Sequence, residues 1–429
     1  MKKFWNNGPK GRATAFVALA FAPAVLGIGA GISLADGAEA PTSVKDRHNS
    51  NFQSAGIQSG PWIVRPSATL AVGHDSNILQ SGDVPEIESA YVRVSGAIDA
   101  RADMGMSIFR IQAELGGTWF SDADDLDFTD GSIGASVDHA LTEFTHIILE
   151  ASYNSAVSFP AGEGITVFGV FDPYTDFARV NTLPVSLTLR HDNEVWFIQG
   201  RASATWRWNS DRETASGAVV DQSFNNGVTT DFSVRAGHYV SPDLALFAEV
   251  GRNESTYDED SADNEGWRYV GGIEANLMRV LYGEIYAGYQ TREYQNTGDI
   301  GGMTYGANLT WFATELLSIS LEASRDFGAQ RIVTGLGNDI APVRIDRVSL
   351  EADWEVLRNL IISGTFAWQQ SEYELFSRTD EKRTYGIGFI YAFGEALSLA
   401  GTLTHTEGES NFIADYDQTR VGVALTVAR

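Results

Sequence analysis

Apolar and polar residues alternate strictly over stretches of about ten residues, repeated from Ala68 to the end of the chain. Between Ala90 and Ala100 the even positions read Ala, Val, Val, Gly, Ile, Ala, and the odd ones are Tyr91, Arg93, Ser95, Ala97 and Asp99. After a tight Asp103-Met104-Gly105 turn, Phe109, Ile111, Ala113, Leu115, Gly117 and Trp119 take the odd positions, with Arg110, Gln112, Glu114, Gly116 and Thr118 between them. A period of two puts each set on its own face of an extended strand, one apolar and one charged. The series opens with Ala68-Leu70-Val72, passes through Leu183-Val185-Leu187-Leu189 and closes with Val421-Val423-Leu425-Val427. It predicts about 18 strands of membrane-crossing length, an all-β fold.

The links alternate too. Short ones at 103–105, 191–194, 241–243, 358–359 and 394–395 exchange places with long polar stretches at 121–127, 209–227, 253–266, 327–345 and 371–382. Short turns on one side and long loops on the other predict a transmembrane antiparallel up-and-down β-barrel, with short periplasmic turns and long extracellular loops. Tryptophan agrees: Trp119, Trp206, Trp208, Trp267 and Trp368 lie beside long loops, and Trp62, Trp196, Trp311 and Trp354 beside short turns or the N-terminal entry, as two interfacial girdles require. A soluble sandwich also alternates, but its inner faces carry bulky residues packed on a second sheet. Here Ala and Gly interrupt the apolar faces, and so many charged faces leave no second layer.

Lys2, Lys3, Lys10 and Arg12 precede an apolar stretch at 13–32 and a Ser33-Leu34-Ala35 cleavage site, so 1–35 reads as a secretory signal peptide rather than a retained helix, which Pro23, Gly27, Gly29 and Gly31 would weaken. Residues 36–60 read as a flexible periplasmic lead and 61–429 as the barrel, placing the protein in the outer membrane of a Gram-negative cell. Losing the leader takes the formal charge from −26 to −30, the wrong sign for a nucleic-acid partner. The absence of cysteine excludes disulfides and thiolate sites. Outer-membrane lipid, lipopolysaccharide and the barrel-assembly machinery are the partners such a barrel implies.

The segment 61–79, with Arg65-Pro66-Ser67 and then Val72-Gly73-His74-Asp75-Ser76-Asn77-Ile78, resembles the opening strand and Asp-x-Asn-hydrophobic loop of the Putative beta-barrel porin 2 family. The resemblance implies an outer-membrane barrel of a kind that includes components associated with exopolysaccharide secretion, with polysaccharide-export components as partners. The chain ends Val427-Ala428-Arg429 where many such barrels end in Phe or Trp.

The inward phase places Arg190, Arg201, Arg207 and Arg235 on one stretch of lumen wall and Glu249, Glu274, Glu284, Glu322, Glu351 and Asp353 on another. Apart, they make a transverse field that screens solutes; paired, they only hold the barrel's shape. The stretch 155–178, with Ile165-Thr166-Val167-Phe168-Gly169-Val170-Phe171, is too apolar for a solvated loop. It either tucks into the lumen or extends the wall outward, and the extension is the expectation. The acidic run 254–265 reads as a solvated loop, and His139, His238 and His405 as outward residues near strand ends. No catalytic motif, metal set or cofactor fingerprint appears. The expected function is a channel for polar solutes or for exopolysaccharide export rather than an enzyme, against a plugged barrel working structurally or adhesively through its loops.

Overall fold

The computed structural model describes residues 43–429 apart from residue 83 and 161–163, 168–169, 259–262, 278–279, 296–297, 335–336 and 375–376. The leader expected over 1–35 and part of the acidic run 254–265 lie outside the described residues. The barrel strands, in chain order, are β1 (Trp62–Asp75), β2 (Ser89–Asp103), β3 (Ser107–Phe120), β4 (Phe128–Thr142), β5 (Thr145–Ser158), β6 (Ala178–Asp192), β7 (Trp196–Asn209), β8 (Gly227–Ser241) and β9 (Leu244–Tyr257). They continue as β10 (Asn264–Leu277), β11 (Leu281–Tyr294), β12 (Ile300–Thr314), β13 (Leu317–Thr334), β14 (Gly337–Leu357), β15 (Leu360–Tyr373), β16 (Arg378–Ala392), β17 (Leu397–Ser410) and β18 (Tyr416–Ala428).

Each strand pairs antiparallel with the next, and β18 returns to β1, from Ala428 beside Ser67 to Arg420 beside Asp75. This closes an 18-stranded barrel, so among the described residues each of these 18 strands is paired on both sides. Among the described residues no helix is long and apolar enough to cross a membrane. The strands do so instead, since every backbone N–H and C=O in lipid needs a partner and closure provides one.

The alternation sorts the two faces as the sequence predicts. Leu70, Val94, Ile111, Ile133, Leu187, Ile285, Ile387 and Val423 stand 40–58% exposed on the outer wall. An apolar surface of that extent is stable only against hydrocarbon. Trp119, Trp206, Trp208, Trp267 and Trp368 sit towards the extracellular ends of their strands, and Trp62, Trp196, Trp311 and Trp354 towards the periplasmic ends. Inward positions meet closer neighbours. At Gly73 an added Cβ would lie 2.3 Å from the hydroxyl of Tyr91, so this ring can fold flat over the wall only because position 73 has no side chain.

Three stretches expected as long loops are largely strand. β13 and β14 stay paired out to Thr334 opposite Gly337, while β9 runs to Tyr257, and β15 and β16 are separated only by 374–377. A 14-residue strand rises about 35 Å at about 3.3 Å per residue and 40° tilt, more than the roughly 25 Å apolar band. Above that band both faces are wet, and strand pairing continues without the alternation by which sequence reveals it. The expected flexible lead is also partly ordered: it contains helix α1 (Val44–Asn51) and a short strand, Ile57–Ser59, paired with Val64 to Trp62 of β1 where β18 has already ended.

Candidate functional site: the lumen and its two mouths

The charged lumen wall is built from cross-strand neighbours. Register places Arg235 of β8 opposite Glu249 of β9, and Arg235 donates to Glu249 at 2.7 Å and to Glu284 of β11 at 2.6 Å, with its guanidinium 4.1 Å over the ring of Phe247. Arg268 of β10 bonds the other oxygen of Glu249. Arg190 of β6 is held by Asp192 at 2.8 Å and lies 4.4 Å over Phe197. Arg201 faces the same lumen between Thr188 and Ser233, and Arg207 donates to Asn209 at 3.2 Å. Glu274 stands opposite Glu284, and Glu322 opposite Asn308 and Ser349. Asp353 accepts from Ser363, and Glu351 is taken by Lys45.

Where the named arginines of β6 to β8 meet the named carboxylates of β9 to β11 they pair, and Asp192 and Arg268 add the opposite charge on each side. Alternation tells which way a residue faces, whereas only register tells what it meets. Arg268 was missed although it alternates with Trp267 and Tyr269 in the inward phase.

The extracellular mouth is narrowed by loops folded inward. Asp75, 1% exposed, ends β1 at the barrel seam and collects Arg420 at 2.6 Å, Gln418 at 2.9 and 3.1 Å and the backbone N–H of Asn77 at 3.0 Å. Asn77 in turn donates to the carbonyls of Ser81 and Asp417. Gln80 adopts φ 53°, a left-handed conformation costly for a residue with a Cβ, and is fixed there by Gln418 and Lys382, both at 3.1 Å. The turn so made drives Ile78 and Leu79 inward against Tyr91, Phe120 and Leu126, all under 9% exposed. The Asp-x-Asn-hydrophobic signature thus acts here as a device that ties a loop to the seam.

A second loop joins this lid. Phe159 and Phe177 pack together at 5.0 Å, Phe177 reaches Phe128, and Arg420 lies 5.4 Å over Phe159. Buried Tyr174 accepts from Gln222 and bridges to Thr214 of the loop between β7 and β8. Nearby, hydrogen bonds from Ser216 and Thr214 hold the Asp172 carboxyl below its usual range. The hairpin formed by Gly164–Val167 and Val170–Pro173 pairs with itself and approaches β13. The expected outward extension of the wall by 155–178 is corrected for the described residues of that stretch: they turn over the mouth, because Phe159, Tyr174 and Phe177 find apolar and aromatic partners there rather than water.

At the periplasmic mouth α1 rests on the lumen side of β13 and β14. The backbone N–H of Val44 donates to Ser318 at 2.9 Å, Lys45 to Glu351 at 2.7 Å, and Arg47 to Glu355 at 2.8 Å and the Glu315 carbonyl at 2.6 Å. Burial alone would depress the Lys45 ammonium, but Glu351 outweighs it and holds the group above its usual range. Among the described residues His405, Glu407 and Asp417 bring ligand atoms within 4.8 Å of one another, but on the outward face of β17 and β18. Exposed groupings of this kind are common without an ion.

Solved structures with a similar outline are outer-membrane barrels. OccAB3 of Acinetobacter baumannii is 11% identical with a TM-score of 0.42, over 85% of this chain and 99% of its own. OpdK of Pseudomonas aeruginosa, solved with vanillate, is 11% identical with a TM-score of 0.43 over the same shares. The copper transporter OprC is 9% identical with a TM-score of 0.46, over 87% and 81%. Likeness at this level says nothing about cargo. No curated protein matches the sequence. The sequence profile of the Putative beta-barrel porin 2 family matches residues 50–429, the entire barrel and the short strand before it, and the chain belongs to that family.

Proposed function

We propose that this porin-type barrel is a narrow water-filled channel through the outer membrane for small polar solutes. One observation carries the reading: lumen-facing charged side chains remain open to solvent. Arg268, Glu284, Asp130 and Glu351 keep 24–35% of their side-chain surface exposed, which a packed plug would remove. Charged groups partly solvated in this way fit the lining of an aqueous path. The inward lid and α1 favour small solutes over a polymer, since an exopolysaccharide strand would have to displace both. Polysaccharide-export components would then be needed to drive it. The lid equally favours a closed barrel acting through its loops, and permeability separates the two. Outer-membrane lipid, lipopolysaccharide and the barrel-assembly machinery are the partners this reading entails.

Liposome swelling with a size series of neutral sugars tests it. Monosaccharides are expected to enter at rates well above protein-free vesicles, with entry falling steeply by the size of short oligosaccharides. Equal exclusion of every sugar favours the closed barrel, and equal entry of long oligosaccharides favours the polymer path. Arg235→Gln should also leave Glu249 and Glu284 less neutralised. The reversal potential in a salt gradient should then shift towards cations, more at 0.01 M than at 1 M ionic strength, as the Debye length falls from about 30 to about 3 Å. An unchanged potential would place Arg235 off the ion path.

A further inference from the structure

The seat of α1 is built for release as much as for holding. Val44 and His48 are its buried residues, 0% and 2% exposed, and the rest of the contact is polar. Among the described residues neither ring nitrogen of His48 makes a well-formed hydrogen bond, with the Asn359 backbone and Asn49 only nearby, although the ring is almost wholly out of water and packs 4.9 Å from Phe52. A buried polar group left so poorly satisfied weighs heavily against a helix of two turns. The sequence of α1 is no better suited to stand alone: eight residues of VKDRHNSN, with only the Ser43 side chain capping Asp46, are far below the length at which helices persist in water. Its persistence as a helix depends on the wall.

We propose that α1 is a reversible stopper of the periplasmic mouth, released when His48 takes up a proton. The charged groups packed about α1 are Glu351, Asp353 and Glu355 on β14, Glu315 on the turn before β13, and Lys45, Asp46 and Arg47 on α1 itself, and of these Glu355 is the one that acts on His48. Lys45 and Arg47 are committed to Glu351 and Glu355, so these carboxylates already have counter-charges and offer the imidazolium little compensation for lost hydration. Burial accordingly holds the His48 imidazole below its usual range, the Asn359 backbone, Asn49 and Glu355 only partly opposing it. The sign follows. A group whose pKa is lowered by docking supports the docked state fully above the pH at which the undocked group titrates, about 6.5, and withdraws that support as pH falls. Mild acid should therefore open this end.

The consequence for permeation rests on the channel reading, but the motion itself can be followed without it. The chain has no cysteine, so Ser318→Cys places a single thiol under α1, where Ser318 is 1% exposed. Labelling of that thiol by a charged maleimide in lipid nanodiscs, divided by labelling of Met104→Cys on an exposed turn, cancels the pH dependence of the thiol itself. The ratio is expected to rise up to about 30-fold from pH 7.5 to 5.0, the limit for a site that titrates near 6.5 only when undocked. It should stay flat when His48→Phe is added, and Lys45→Gln with Arg47→Gln should raise it already at pH 7.5. A ratio independent of pH with His48 present, or an equal rise in His48→Phe, would overturn the proposal. Labelling that behaves as expected beside an absence of conductance would instead count against the channel.

Discussion

Asp75→Ala is expected to cost about 3–5 kcal/mol of barrel stability, the usual penalty for removing one member of a buried ion pair. Asp75 and Arg420 are 1% and 6% exposed, and register makes them direct neighbours across the seam between the first and last strands. The substitution leaves the Arg420 guanidinium without its carboxylate at 2.6 Å, removes the Asp75 acceptor for the Asn77 backbone, and leaves Gln418 with the Asn77 carbonyl at 2.9 Å in place of two acceptors. Two structures are affected together, because the residue that seals the seam also turns the 76–88 loop inward. Asp75→Asn keeps the shape and one acceptor oxygen, so it should fall between the wild type and Asp75→Ala. Urea titration of the folded barrel in lipid vesicles measures the difference. A loss below about 1 kcal/mol would mean that water satisfies Arg420 as well as Asp75 does, and that the seam is held by backbone pairing alone.

Val94→Arg is expected to cost about 2–4 kcal/mol, whereas Ser95→Arg on the adjacent position should cost little. Val94 is 48% exposed on the outer wall of β2, and Ser95 points the other way, opposite Gly116 and Thr69 in register. In hydrocarbon a guanidinium has no compensating water, while on the lumen side it joins a wall that already carries Arg93 and Asp130. The same urea titrations give both values. Equal costs would mean that the two faces are not lipid and water.

The sequence carries the barrel because its information is local. A period of two identifies each strand and its phase, and the alternation of turn lengths orders the strands around the cylinder. Long-range partnership is not local in this way. Arg235 and Glu249 are both legible as inward residues, but their contact depends on which residues of β8 and β9 stand opposite, and the hairpin turn sets that register. Asp75 and Arg420 are 345 residues apart, and the bond between them exists only because the barrel closes. The inward fold of the 76–88 loop shows in sequence only as a short motif, whose four residues give no hint that Gln80 takes a left-handed turn. The order in α1 is equally hidden. All of its eight residues but Val44 are polar and they lack an amphipathic stripe, so they read as flexible until β14 supplies Glu351 and Glu355 as partners.

Single-channel recording in planar bilayers tests the central claim most directly. The full-length protein is expected to insert with discrete ohmic conductance steps, to grow larger steps when residues 43–52 are deleted, and larger still when Asp75→Ala loosens the lid. A bilayer that remains silent with the wild type, with the deletion and with Asp75→Ala, although the same preparations show folded barrels, would contradict an aqueous path through the lumen.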